Sequence, residues 1–241
     1  MSRSDHAPRI AGCPLCPLTA DREKRELSAD GVRYVLSFRR EREIDAGDLL
    51  YRQGDPCEGI YCILDGLLGE RRVDAEGHST LIRLDHPGAT LGYDELVTEA
   101  SHRNSAEALR KSHVCFLPKS VVRELLDRNP TLGERLVRQL MRNLAETEDN
   151  YVIAMNQGVR ARLLHVLLAL YERYGSYGEA EGHAVDLPLA RQDLASLIGT
   201  APESISRTIR DLQRDRLVRF DGRKAYLSNL DAIYSEVNDL G

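Results

Sequence analysis

The sequence predicts an α+β chain: a small all-β sandwich or barrel, then a long helix, then a helix-turn-helix closed by a β-hairpin. Three observations carry this. Between residues 40 and 118, short apolar runs alternate with glycine-marked turns. From Thr131 to Met155, apolar residues recur at helical spacing. From Arg191 to Ile209, a small residue, a turn glycine and a proline fall where two steeply crossing helices need them.

The 241 residues suffice for one large domain or two modest ones. With 42% hydrophobic and 29% charged residues, the composition is that of a folded globular protein and excludes broad disorder. No apolar run approaches the length of a membrane span. The N-terminal stretch MSRSDHAPRI has no apolar core of a secretory signal, so a cytoplasmic location without membrane association is expected. Five cysteines in such a chain are buried residues, reactive thiols or metal ligands rather than a disulfide framework. The net charge is -5, yet Arg191 to Lys224 carries eight basic side chains against five acidic. A local basic excess is what a nucleic-acid-contacting module needs.

Residues 1–20 hold Cys13 and Cys16 among prolines and read as an extended arm. A charged helical stretch is expected over Asp21 to Phe38. Strands of four to six residues follow, with Asp65-Gly66 as a tight hairpin and Val114 to Leu117 as the closing strand. Lys119 to Asp127 is a short helix that Asn129-Pro130 ends. The next helix, Thr131 to Met155, would be about 35 Å long. Its stripe includes Leu136, Leu140, Leu144, Tyr151, Val152 and Met155, which suits its own core or a twin helix in a homodimer. A further helix spans Val159 to Tyr174, and Gly175 to Gly182 reads as a mobile loop. The implied domains are the arm (1–20), the β domain (21–130), the long helix (131–157) and the C-terminal domain (158–241).

The helix-turn-helix is the strongest signal. Ala195 is small where the second helix approaches, and Gly199 falls where the turn needs positive φ. Leu194, Ile198, Ile205 and Ile209 supply a shared core, and Pro202 suits the first helical turn. Glu203, Ser206, Arg207 and Arg210 then share one face of the second helix. Such a face meets base edges in the major groove: Arg suits guanine and Glu accepts from cytosine. Thr200 and Arg191 suit phosphates. Leu217 to Phe220 and Ala225 to Leu227, joined across Asp221-Gly222-Arg223-Lys224, form a wing with a basic tip.

This order of parts resembles the CRP/FNR family of transcription regulators, and Glu203-Ser204-Ile205-Ser206-Arg207 is similar to an FNR-type recognition helix. The resemblance implies a double-stranded β-helix (jelly roll) of the cyclic-nucleotide-binding type, a dimerisation helix and a winged helix-turn-helix. It further implies a symmetric dimer, palindromic double-stranded DNA with TTGAT half-sites, contact with RNA polymerase, and control through the β-roll. Cyclic AMP is not expected: Tyr93-Asp94 follows Gly92 where cyclic-nucleotide binders carry Glu, and Asn104 precedes Ser105-Ala106 where they carry an Arg-Ser pair.

In the FNR branch, three N-terminal cysteines and one in the β-roll hold a [4Fe–4S] cluster. Cys115 matches the β-roll position, and Cys13 and Cys16 supply two arm ligands. No third arm cysteine follows, which leaves Cys57 or Cys62. Cys57 lies in a turn and is expected to be exposed, so it is the preferred fourth ligand, whereas Cys62 reads as a packed core thiol. The alternatives are thiol oxidation at Cys13 and Cys16, haem held through His78, His86, His102 or His113, and a small ligand. A β-roll module for protein interaction without DNA binding is the competing class. No P-loop, GxSxG or HExxH motif points to an enzyme.

Overall fold

The computed structural model describes residues 29–178 and 182–238. The arm, with Cys13 and Cys16, lies outside the described residues, as do the first residues of the stretch expected to be helical from Asp21. The chain divides into two compact units, Met1–Asn143 and Leu144–Gly241.

In the first unit α1 (Ala29–Phe38) precedes β1 (Arg40–Ile44), β2 (Leu49–Tyr51), β3 (Gly59–Val73), β4 (Ser79–Asp85) and β5 (Thr90–Leu91). Then come α2 (Tyr93–Thr98), β6 (Ser105–Pro118), α3 (Lys119–Arg128) and α4 (Pro130–Asn156). The sheet runs β1-β6-β3-β4, with β2 on β6 and β5 on β3. Two of its strands are far longer than the four to six residues expected. The reason lies at Asp65-Gly66, which is no hairpin. Gly66 has φ +100 and sits inside β3, where the register with β6 shifts on either side of Asp65. The left-handed glycine serves a bulge instead of a turn. Ser112 repairs the interrupted ladder: its hydroxyl accepts the Leu67 N–H at 3.1 Å and donates to the Arg110 carbonyl at 2.7 Å.

Both faces of β3 are buried through its centre. Ile63 and Leu68 face inward with Ile44, Leu50, Leu91 and Val114. Ile60, Cys62 and Leu64 face outward, with Cys115 and Leu117 of β6, under Val35 of α1 and Val121, Val122 and Leu125 of α3. Strand alternation therefore places Cys62 on the helix-covered face of the roll.

Proline starts α4, where its missing N–H costs nothing. The helix is 27 residues long, or about 40 Å. Its expected stripe is divided. Leu136 is buried at 7% exposure, and Leu140 packs partly against the β-roll core. Val137, Met141, Leu144, Tyr151, Val152 and Met155 are each 50% exposed or more.

The second unit continues with α5 (Val159–Tyr174), β7 (Ser176–Gly178), β8 (Gly182–Asp186), α6 (Arg191–Leu197) and α7 (Pro202–Arg214). It ends with β9 (Val218–Asp221), β10 (Lys224–Leu227) and α8 (Leu230–Asn238). The stretch expected to be a mobile loop holds paired strands instead: Ser176 faces Ala184 and Gly178 faces Gly182 in the sheet β7-β8-β10-β9. Leu194, Ile198, Ile205 and Ile209 are all buried, as the helix-turn-helix reading requires, beside Leu163, Leu164 and Leu167 of α5. Gly199 takes φ +63 at the turn.

Replacing Gly66 tests the bulge. A Cβ there would lie 2.3 Å from the Ser112 hydroxyl oxygen and 2.5 Å from its Cα. Gly66→Ala is expected to destabilise the β-roll by about 2–4 kcal/mol, read as a lower denaturation midpoint.

Candidate nucleic-acid interface

The helix α7 is sharply amphipathic because Ile205, Ile209 and Leu212 recur at helical spacing beneath a polar face. Glu203, Arg207 and Arg210 are exposed and Ser206 is half-buried, so all four lie on the face opposite the core. Arg210 donates from Nε to the Ser206 carbonyl at 3.2 Å, which lays its side chain along the helix. Arg191 is exposed at the start of α6, and Thr200 is half-buried in the turn. The start of α6 is fixed by Asp193, whose carboxylate accepts the Ala190 N–H at 2.9 Å.

The wing is the β9–β10 hairpin. Asp221 faces Lys224 across a two-residue loop, Gly222-Arg223, with Arg223 exposed at the tip. The Leu187 N–H donates to the Arg223 carbonyl at 2.7 Å and tethers that tip to the end of β8. Arg219 lies 3.8 Å over the Tyr226 ring and Lys224 lies 5.6 Å from it. Stacking holds the Arg219 guanidinium at the surface with its donors outward.

Sequence reasoning missed the group that fixes α7. Arg160 of α5 donates from Nη1 to Asp215 at 2.7 Å and from Nε to Glu236 of α8 at 2.5 Å. Asp215 directly follows α7, so one guanidinium joins three helices. Asp215 and Glu236 lie 55 and 76 positions after Arg160, and no sequence spacing marks them.

Inside the β-roll, carboxylates dominate. Glu70 accepts from Tyr51 at 3.3 Å, Arg83 at 3.1 Å and Asn104 at 2.7 Å. Asp85 pairs with Arg83 Nε at 3.0 Å, while its second oxygen is buried without a partner. Burial pushes the Asp85 carboxyl up to about 7 despite Arg83 beside it, and burial raises Asp94 to about 6. Tyr93 is buried and its hydroxyl accepts from Asn143 of α4. His102 is buried too, stacked 3.7 Å from the Tyr51 ring. A phosphate placed among Glu70 and Asp85 would meet like charge, with Arg83 already engaged.

The cysteines divide differently from expectation. Cys57 is buried at 8% exposure, not exposed, because its turn folds under Gly92. Its thiol donates toward the carbonyls of Gly92 at 3.3 Å and Gly59 at 3.4 Å, and burial pushes its pKa up. Such a thiol is a poor metal ligand. Cys115 and Cys62 stand directly opposite each other on β6 and β3. Cys62 is buried at 1% exposure and engaged in a disulfide, and a sulfur bonded to sulfur offers iron no thiolate. The histidines considered for haem are dispersed: His78 pairs with Asp74 in the β3–β4 turn, His113 with Glu41 on β1, and His102 is walled in by Tyr51. Asp74, Glu76 and His78 are the one close group of three metal-ligating types among the described residues. Asp74 there is occupied by the N–H groups of Glu76 and His78, the bonds that form the turn.

Comparison with known proteins follows the same division. Residues 41–129 match the cyclic nucleotide-binding domain family, and residues 161–234 match the Crp-like helix-turn-helix domain family. The chain belongs to the CRP/FNR family of transcription regulators. It is 25% identical over 225 residues to the transcriptional activator protein Anr of Pseudomonas protegens, covering 93% of this chain and 91% of that one. It is 23% identical over 221 residues to an anaerobic regulatory protein of Pasteurella multocida, covering 92% and 80%. The fold is shared with a CRP/FNR-family regulator from Thermus thermophilus: TM-score 0.71, 24% identity, 84% of this chain and 100% of that one. This CRP/FNR chain is thus a DNA-binding regulator of transcription. No helix among its described residues is long and apolar enough to cross a membrane.

The buried carboxylates of the regulator give a pH test. Asp85 is raised in the folded state from an ordinary 3.8 to about 7. Its neutral form is the one the fold favours, so its contribution is full below pH 3.8 and is lost as pH rises through about 7. Asp85→Asn is expected to flatten the fall in β-roll stability between about pH 4 and 7, read by denaturant midpoints across that range.

Proposed function

We propose that this regulator acts as a symmetric homodimer that reads a TTGAT-type palindrome through Glu203, Ser206 and Arg207, under redox control from its β-roll. The observation that carries the DNA reading is the face of α7. Arg207 projects from it four residues after Glu203, above a fully buried Ile205 and Ile209. Both charged side chains stand exposed to solvent, so both are available to base edges. Arg210, Arg191, Thr200 and the wing residues Arg219 and Arg223 supply backbone contacts.

Dimerisation is supported by α4. Its exposed residues 137, 141, 144, 151 and 155 follow alternating steps of four and three, with Glu148 at the remaining step. That is the spacing of a helix that pairs with a helix, and six large apolar side chains lie open along it. A dimer matches the two-fold symmetry of a palindrome, and RNA polymerase is the partner that such a promoter-bound dimer would meet.

Control by a cyclic nucleotide is disfavoured by the carboxylates of the roll interior. The relatives named for anaerobic regulation favour a cysteine-held [4Fe–4S] cluster. Bound there, the cluster would supply sensitivity to oxygen. Cys115 would hold it from the sheet, with Cys13 and Cys16 as the arm ligands. A second reading, control by thiol oxidation, is favoured by the disulfide in which Cys62 is engaged.

A gel-shift with a TTGAT-N4-ATCAA duplex tests the DNA reading, and absence of specific retardation both with and without oxygen would refute it. Arg207→Ala is expected to cost about 1–3 kcal/mol on this duplex and to relax preference at one base pair. Arg223→Ala is expected to weaken all sequences equally and to lower the salt slope by about one unit. Tyr151→Glu is expected to shift the protein from dimer to monomer in sedimentation, with the helix-turn-helix still folded.

A further inference from the structure

Glu203, Ser206 and Arg207 leave an exposed arginine, Arg210, on the centre of the reading face of α7. With Glu203 as zero and about 100° of rotation per residue, Arg207 points to about +40°, Arg210 to about −20° and Ser206 to about −60°. Arg210 thus lies between Ser206 and Arg207 in direction, on the side away from the buried Ile205, Ile209 and Leu212. A helix in the major groove turns the centre of its outward face to the groove floor, where base edges lie, and its flanks to the phosphate-lined walls.

Two features distinguish Arg210 from a freely moving surface charge. Its Nε donates to the Ser206 carbonyl at 3.2 Å. That bond draws the guanidinium toward the N-terminal turns, the end of a recognition helix that enters the groove. With Nε engaged, the two Nη groups remain as a fork of fixed direction, which fits a pair of acceptors such as guanine O6 and N7. The second feature is charge. Among the described residues no carboxylate pairs with Arg210, because its neighbour Asp211 pairs with Arg214 at 3.1 Å, and Asp215 pairs with Arg160 at 2.7 Å. The fork is therefore charged and uncommitted before DNA arrives.

We infer that Arg210 reads a guanine base, beyond the backbone contact proposed for it, and that the half-site of this regulator includes one G·C pair adjoining TTGAT. The inference rests on the proposed reading of TTGAT by Glu203, Ser206 and Arg207. Arg207 and Arg210 serve different base pairs. Three residues of helix separate their Cα atoms by about 4.5 Å along the axis, more than the roughly 3.4 Å between stacked pairs. The half-site is then longer than the motif Glu203-Ser204-Ile205-Ser206-Arg207 alone accounts for.

The test uses the full chain and a pool of TTGAT-N4-ATCAA duplexes. The spacer and the outer flanks of both half-sites are varied symmetrically, and a scrambled TTGAT serves as the non-specific control. Bound and free duplexes are separated by gel-shift and sequenced. Wild type is expected to enrich one G·C pair, in one orientation at one adjoining position, about tenfold or more over the other pairs. Arg210→Ala and Arg210→Lys are both expected to lose that enrichment while still preferring TTGAT over the scrambled duplex, since lysine keeps the charge and lacks the fork. Arg210 is exposed, so both variants are expected to keep the circular dichroism of wild type. Wild type without a preference beside TTGAT, or a preference that survives Arg210→Ala, overturns the inference and leaves the TTGAT reading intact. Uniform weakening by Arg210→Ala that Arg210→Lys restores makes Arg210 a backbone contact only and also overturns it. Failure of wild type to discriminate TTGAT from the scrambled duplex overturns both.

Discussion

β3 and β6 run antiparallel from Gly59 opposite Pro118 to Arg71 opposite Ser105; β3 buries both faces through its centre, and β6 alternates buried with half-buried residues. Everything in the β-roll hangs on this pair. Its inner face supplies Ile63, Leu68, Ala106 and Val114 to the interior cluster, and its outer face supplies the seat for α1 and α3. A ladder this long would twist out of register with a curved roll, and the bulge at Gly66 with the Ser112 hydroxyl is the point where it bends. The pairing also decides which cysteines are neighbours. A slip of one residue would send Cys62 into the roll interior and leave Cys115 facing Ile63 or Tyr61.

Net charge works in opposite senses at the two functional regions. In the roll interior Glu70 accepts from Arg83 and Asn104, and burial holds Asp85 toward its neutral form, so these polar groups are engaged with one another. The surface of α7 and the wing carries arginines aimed outward, one of them stacked on Tyr226. The overall charge of -5 averages these and describes neither.

The C-terminal domain is far more legible in the sequence than the β-roll. A helix-turn-helix is local: Ala195, Gly199, Pro202 and the isoleucines of α7 lie within one short stretch, so their spacing carries the geometry. The β-roll is held by residues far apart. Asp65-Gly66 has the composition of a hairpin, and only pairing with β6 reveals a bulge. Cys57 sits among turn residues and reads as exposed; the packing of Gly59 and Gly92 around it buries the thiol. Leu136 and Leu140 share the helical stripe of α4, yet Leu136 is buried within the chain and Leu140 packs partly against the β-roll core. The sequence period shows that a stripe exists and is silent on which surface each turn of it meets.

Arg160 ties the start of α5 to α8 and to the residue that ends α7. A helix whose last turn is pinned in this way does not fray independently. Its amide hydrogens are expected to exchange together with those of α5 and α8, as one cooperative unit. The face proposed to meet DNA is thereby held in place before binding, which leaves less entropy to be lost there on docking.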